Sequence, residues 1–371
     1  MRAVKLVGYL ILIIMVAVTI IVASSSAPAS DVEEQTGTGT VPATTPNELE
    51  PINPGRDEKI TVGVFLSGPE TDAYARGIET FQSAYPDCTV VRTISAEQEG
   101  QLEAIRQFAE QYGSAGVFIV EPVDGSAVSR IADAAEEYGV YWSAIGETGD
   151  NIYPMDYHYY TMYQGVSESA AGYESASAMM KALDSSGTNE LYILDSGEGV
   201  PYADRQSGLY DALTERLDVV SVKRATAKTR NEARQIVSGW LAEGGAVKAV
   251  WADDDELALG AADAAADADR DDIVISGTKL TMNSKAAVAA GTVWSSVYYM
   301  DAERMLYGLV LPYRAAMGAV NIDNLDMDER FFYVTPSAVT KKEIKAVLGA
   351  DLDDVLRNGY QEKTVGITIR M

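Results

Sequence analysis

VFIVEPVDGSAVSRIADAAEEYGVYWSAI, residues 117–145, contains the unit from which most of the chain is built. Its first four residues, Val117-Phe-Ile-Val120, form an unbroken apolar run, as a strand buried on both faces requires. Pro122 and Gly125 interrupt the run. Val128, Ile131, Ala135 and Tyr138 then recur at spacings of three and four, which places them on one face of a helix. Val140-Tyr-Trp-Ser-Ala-Ile145 is the next apolar run. Strand, helix and strand at this spacing predict a parallel βαβ unit.

The same alternation extends outward on both sides. Towards the N-terminus, strands are predicted at 60–66 and 89–94, with a helix stripe through Leu102, Ile105, Phe108 and Tyr112. After a tyrosine-rich stretch at 153–163 the pattern restarts. Strands are predicted at 191–194, 219–222, 247–251, 273–275 and 293–297, with helices through Met179 before them, through Leu209, Ile236 and an Ala-rich segment between them, and through Met305 after them. Right-handed crossovers turn such a series into an α/β fold of two doubly wound parallel-sheet lobes, with about five strands in each. A (β/α)8 barrel is the rival arrangement.

The flanks read differently. Arg2 and Lys5 precede an uncharged apolar run at 6–23, so residues 1–30 read as a signal peptide or an N-terminal membrane anchor. Ala27-Pro-Ala29 offers small residues for cleavage, and both readings place the remaining chain outside the cytoplasm. Residues 31–58 are rich in Thr, Pro, Gly and Glu and read as a flexible linker.

Composition excludes several functions. A formal charge of −26 over 371 residues argues against binding nucleic acid, which needs positive potential over phosphates. One cysteine, Cys88, and one histidine, His158, leave no intrachain disulfide, no common zinc set and no Ser–His triad. The carboxylates at 253–256 read as helix-start acids rather than a metal site. No Walker loop is present, and Val62-Gly-Val-Phe-Leu-Ser-Gly68 is not a dinucleotide fingerprint. The chain therefore reads as a non-enzyme without metal or cofactor.

Four stretches resemble the ribose- and galactose-type periplasmic sugar-binding proteins, the type I solute-binding proteins of ABC transporters. They are Val120-Glu-Pro-Val-Asp-Gly-Ser-Ala-Val128, Arg205-Gln-Ser-Gly-Leu209, Ala252-Asp-Asp-Asp-Glu-Leu-Ala-Leu-Gly260 and Val334-Thr-Pro-Ser-Ala-Val-Thr-Lys341. The resemblance spans about 59–343. It implies a type I periplasmic-binding-protein fold, with an N-lobe at 59–161 and 300–330 and a C-lobe at 162–299. A three-strand hinge would join them, and 331–371 would form the hinge return and C-terminal segment. The ligand would lie between the lobes.

The same resemblance nominates ligand-binding residues. Arg205 matches the family's arginine at a C-lobe helix, and Asp254 falls where the family carries an asparagine. Five positions depart from the pattern: Glu147 replaces an arginine, Lys228 an aromatic residue, Lys279 an aspartate, and Glu70 with Thr71 an aromatic pair. Ser67 ends the first strand, and Tyr299 lies near the hinge position that often carries Gln or Asn. Such groups read hydroxyls through forked hydrogen bonds, and aromatic faces cover the apolar side of a sugar ring. Tyr157, Tyr159, Tyr160 and Tyr163 offer such faces or pack the hinge. The lysines admit a solute with an acid group.

The expected function is an extracytoplasmic solute-binding receptor of an ABC importer. It would close by hinge motion on a sugar or sugar derivative, with or without an acid group. Its partners would be this small ligand and an ABC permease, and it would act as a monomer. The alternative is a ligand-sensing ectodomain for a signalling partner.

Overall fold

A computed structural model describes residues 59–344 and Val347, apart from positions 147, 150, 151, 186, 198, 199 and 245. The expected signal peptide or anchor at 1–30, the linker at 31–58, nearly all of 345–371 and the site candidate Glu147 lie outside the described residues. Among the described residues, no helix is long and apolar enough to cross a membrane.

Two six-stranded sheets organise the chain. The first has the order β11 (Phe331–Val334), β5 (Tyr160–Val166), β4 (Tyr141–Ile145), β3 (Gly116–Val120), β1 (Thr61–Leu66), β2 (Thr89–Ile94), all parallel. The second has the order β12 (Ser337–Thr340), β10 (Ser295–Tyr298), β9 (Val274–Ser276), β8 (Val247–Ala252), β6 (Asn189–Asp195), β7 (Val219–Thr226). Only β12 runs antiparallel to its neighbour there. Every residue of β3 is buried, as its unbroken apolar run demands.

Helices cover both faces of each sheet, so each lobe is doubly wound as expected. On the first sheet, α1 (Asp72–Ala84) and α9 (Asp301–Ala316) bury Tyr74, Ile78, Phe81, Met305 and Leu309 against Val62, Val64 and Ile119. α2 (Gln98–Tyr112) and α3 (Val128–Tyr138) bury Leu102, Ile105, Phe108 and Ile131 against Phe65, Phe118 and Trp142 on the other face. On the second sheet, α4 (Glu168–Lys181) and α5 (Val200–Thr214) cover one face. α6 (Arg230–Ala242) and α7 (Asp255–Asp267) cover the other. α8 (Met282–Ala290) packs near β10, and the short α10 (Met327–Arg330) precedes β11.

The chain passes between the sheets three times: after β5, after β10, and between β11 and β12. The tyrosine-rich stretch, read as a break whose rings offer stacking faces or pack the hinge, supplies β5, where Tyr160 stacks on Trp142 with ring centroids 3.8 Å apart. Buried Arg330 donates to the carbonyls of Pro154, Tyr160 and Thr161, fastening the C-terminal edge strand to β5. Each sheet thus gains a strand from the C-terminal pair, which is why it has six rather than about five.

Candidate functional site

The parallel strands of both sheets point their C-terminal ends at one interlobe cavity of about 570 Å³. In open α/β sheets this is where ligands bind, because loops there can vary without disturbing the core. On the first lobe, Glu121 follows β3 immediately. Gln101 on α2 fixes this turn, donating to the Glu121 carbonyl at 2.9 Å and accepting from the Val123 N–H at 3.1 Å. The Glu121 carboxylate accepts from Ser67 Oγ at 2.8 Å and from the Tyr74 hydroxyl at 3.1 Å. Tyr74 is held because the Thr71 side chain caps α1, accepting from the Tyr74 N–H at 3.2 Å.

On the second lobe the wall is built by the crossing of α4 and α5. Arg205 on α5 donates from Nη1 to Glu168 Oε2 at 2.7 Å, and its Nη2 lies 3.8 Å from Asp253 Oδ2. Asp253 follows β8 and also accepts from the Ser196 N–H at 3.0 Å and Ser196 Oγ at 2.6 Å. The Tyr299 hydroxyl donates to the same Glu168 oxygen at 2.6 Å. Burial, and then the Glu168 charge, push the Tyr299 hydroxyl well above its ordinary range, so it remains a donor. Burial works against the Arg205 charge, but Glu168, Tyr299 and Asp253 outweigh it and raise the guanidinium further.

This crossing is close because two glycines permit it. A Cβ on Gly208 would lie 1.9 Å from the Ser169 carbonyl oxygen, and one on Gly172 would lie 1.9 Å from that of Arg205. The Arg-x-x-Gly spacing at 205–208 therefore has a mechanical sense. The arginine reaches across to α4, and the glycine lets α4 approach.

The carboxylate that opens α7 positions the loop opposite. Asp255 is fully buried and accepts from the Thr281 N–H at 2.7 Å, Ser284 Oγ at 2.5 Å and Ser296 Oγ at 2.6 Å. Burial raises its carboxyl from the ordinary 3.8 to about 6, with these three donors opposing. The folded protein therefore holds this proton to higher pH than the unfolded chain. The contribution is full below about pH 4 and is lost as pH rises through about 6. Relative to Asp255→Asn, the native protein is expected to lose roughly 2 kcal/mol of stability between pH 4 and pH 7. Denaturant midpoints of the two proteins across that range measure it.

The sequence candidates fall in different places. Ser67, Lys279 and Tyr299 line the interlobe cavity. Lys279 and the next residue, Leu280, both adopt left-handed backbone, with φ 83° and 46°, a conformation that non-glycine residues hold only when their surroundings impose it. Glu70 lines an adjoining cavity of about 440 Å³ and pairs with Arg92 at 3.3 Å. Arg205 is 5 % exposed and sits behind Glu168. Asp254 turns back to cap α7, accepting from the Glu256 N–H at 2.8 Å, and pairs with Lys279 at 3.5 Å. Lys228 is exposed and does not line the cavity, because its ammonium donates to the Ser196 carbonyl at 2.5 Å. Of the tyrosine cluster, Tyr163 lines the cavity, while Tyr160 is packing.

Glu121, Glu168, Asp253 and Tyr74 were not among the candidates. Glu121 stands inside the quoted Val-Glu-Pro stretch, so its signal was present. Glu168 had none beyond its place just after a crossing.

The family described as "Periplasmic binding protein domain" matches residues 64–310. The ribose import binding protein of Bacillus subtilis is 24% identical over 243 residues, covering 62% of this chain and 73% of that protein. Two solved structures share the fold. A twin-arginine translocation pathway signal protein from Burkholderia phytofirmans has a TM-score of 0.68 and 22% identity, covering 84% of this chain and 97% of that one. An ABC transporter periplasmic solute binding protein from Actinobacillus succinogenes, solved with D-allose bound, has a TM-score of 0.65 and 17% identity, covering 78% and 100%.

Proposed function

The chain belongs to the periplasmic binding protein domain family, and on that premise we propose that it is the extracytoplasmic solute receptor of an ABC importer for a sugar or a similar cyclic polyol. The observation that carries this reading is the interlobe cavity itself. Its wall alternates carboxylates and hydroxyls with the rings of Tyr163, Tyr299 and Tyr333, a chemistry suited to a ring with polar edges and apolar faces. The Bacillus subtilis relative is a ribose import binding protein, and the Actinobacillus succinogenes protein was solved with D-allose bound.

In this reading 59–161 with 300–330 moves against 162–299 about the three crossings, and the closed form docks on a membrane permease. Residues 1–30 carry the chain out of the cytoplasm. An acid group on the solute, which the lysines had admitted, loses its support. Lys228 is turned to the Ser196 carbonyl and Lys279 to Asp254.

A thermal-shift screen against neutral sugars, cyclic polyols, sugar acids, amino acids and nucleosides tests the proposal. A ligand at a hundredfold excess over its Kd is expected to add about 2.7 kcal/mol of stability. Stabilisation by sugars or polyols supports the reading. Stabilisation by amino acids or nucleosides alone contradicts it.

A further inference from the structure

We infer that the solute carries a protonated amine, as an amino sugar or an aminated cyclic polyol does, and that Glu121 reads it. The inference rests on the reading that the interlobe cavity takes a sugar-like ligand.

Charge placement carries it. Each cation at the cavity already has a carboxylate of its own. Arg205 holds Glu168 and lies near Asp253, Lys279 holds Asp254, and Arg304 holds Asp301. Glu121 differs. Among the described residues no Lys, Arg or His lies within 4.0 Å of its carboxylate, and its side-chain partners, Ser67 and Tyr74, are neutral. Asp204, on the second lobe's wall of the same cavity, has no such partner among the described residues either. Two carboxylates thus face one cavity from opposite lobes without compensating charge.

A carboxylate offers about four acceptor sites, and the Ser67 N–H, Ser67 Oγ and Tyr74 hydroxyl take three. One remains, and a charged carboxylate withdrawn from water is costly unless it is paired. An ammonium satisfies both needs, because it supplies a donor and also the compensating charge that a neutral hydroxyl lacks. An anionic solute would meet the opposite charge balance. Tyr163 and Tyr333, with ring centroids 5.6 Å apart, line the same cavity and can cover the apolar face of the ring that bears the amine.

Calorimetric titration of the full chain with matched compounds tests this. Glucose, glucosamine and N-acetylglucosamine form one set, and the three galactose counterparts form the other. The N-acetyl member keeps the substituent and removes its charge. In the set that fits, the amine is expected to bind at least tenfold more tightly than both neutral members, and Glu121→Gln is expected to bring that ratio to within threefold of one. Glu121 also ties Ser67 to Tyr74, so Asp204→Asn, at an exposed position, is a second variant expected to reduce the ratio if Glu121→Gln does not fold. Equal binding of amine and neutral members, or an amine preference unchanged in both variants, overturns the inference while leaving a sugar receptor. Binding by none of the six compounds overturns the inference and removes the support for a hexose-type ligand on which it rests.

Discussion

Arg205→Ala is expected to lower the stability of the fold by about 3–5 kcal/mol and to weaken ligand binding at least a hundredfold. The first number follows from burial. Arg205 is 5 % exposed and holds Glu168 at 2.7 Å with Asp253 close by, so its removal leaves two carboxylates facing one another without a cation. Removing one partner of a buried ion pair typically costs about 3–5 kcal/mol, because the remaining charge is stranded. The second number follows from position. Glu168 and the Tyr299 hydroxyl line the cavity in a geometry that Arg205 fixes, and a hundredfold change in Kd corresponds to about 2.7 kcal/mol.

Two further variants separate these effects. Arg205→Lys keeps the charge but not the planar fork that reaches both acids, so it is expected to recover part of the stability and little of the binding. Arg205→Met with Glu168→Gln removes the stranded Glu168 charge and is expected to recover stability further, again without binding. Urea midpoints and titration calorimetry on the same preparations measure both. Full ligand affinity in Arg205→Ala would remove the α4–α5 network from the site.

The second large effect is expected from Gly208→Ala and Gly172→Ala. Helix propensity alone favours alanine over glycine by about 1 kcal/mol in a helix interior. Packing opposes it here. Each new Cβ would lie 1.9 Å from a backbone carbonyl oxygen of the other helix, a contact that only separation of α4 and α5 can relieve. Overpacking of this kind costs about 1–3 kcal/mol and sometimes more. Both variants are therefore expected to be destabilised by about 2 kcal/mol or more, with weaker ligand binding as Arg205 and Glu168 move apart. A rise in Tm in either variant would show that propensity prevails and that the helices are free to separate.

How far the sequence reached depends on which residues carry a local signal. β3 and β4 were readable because strands buried on both faces leave long apolar runs, and α3 because its stripe recurs at helical spacing. β5 was not. Its sequence, Tyr-Thr-Met-Tyr-Gln-Gly-Val, mixes aromatic and polar residues, because its buried Gln164 and Thr161 serve the backbone of neighbouring elements. At the site, Asp253 and Asp254 are adjacent and chemically identical. Their roles separate only in three dimensions, where Asp253 faces Ser196 and Arg205 while Asp254 turns onto its own helix. Lys228 shows the same limit. Its alignment with a family aromatic residue suggested the cleft, but its ammonium donates to the Ser196 carbonyl. Glu168 pairs with Arg205 across 37 residues of sequence, a distance at which no spacing rule applies.

The two lobes are expected to close on one solute. α1 and α8 face each other across the adjoining cavity, to which they contribute Arg76 and Lys285. Spin labels at Glu79→Cys on α1 and Ala289→Cys on α8, both exposed, with Cys88→Ser, report the gap between the lobes by pulsed dipolar spectroscopy. The distance distribution is expected to shift to shorter values on adding a stabilising sugar or polyol, saturating at one equivalent. A distribution that stays fixed while calorimetry shows the solute bound would contradict closure.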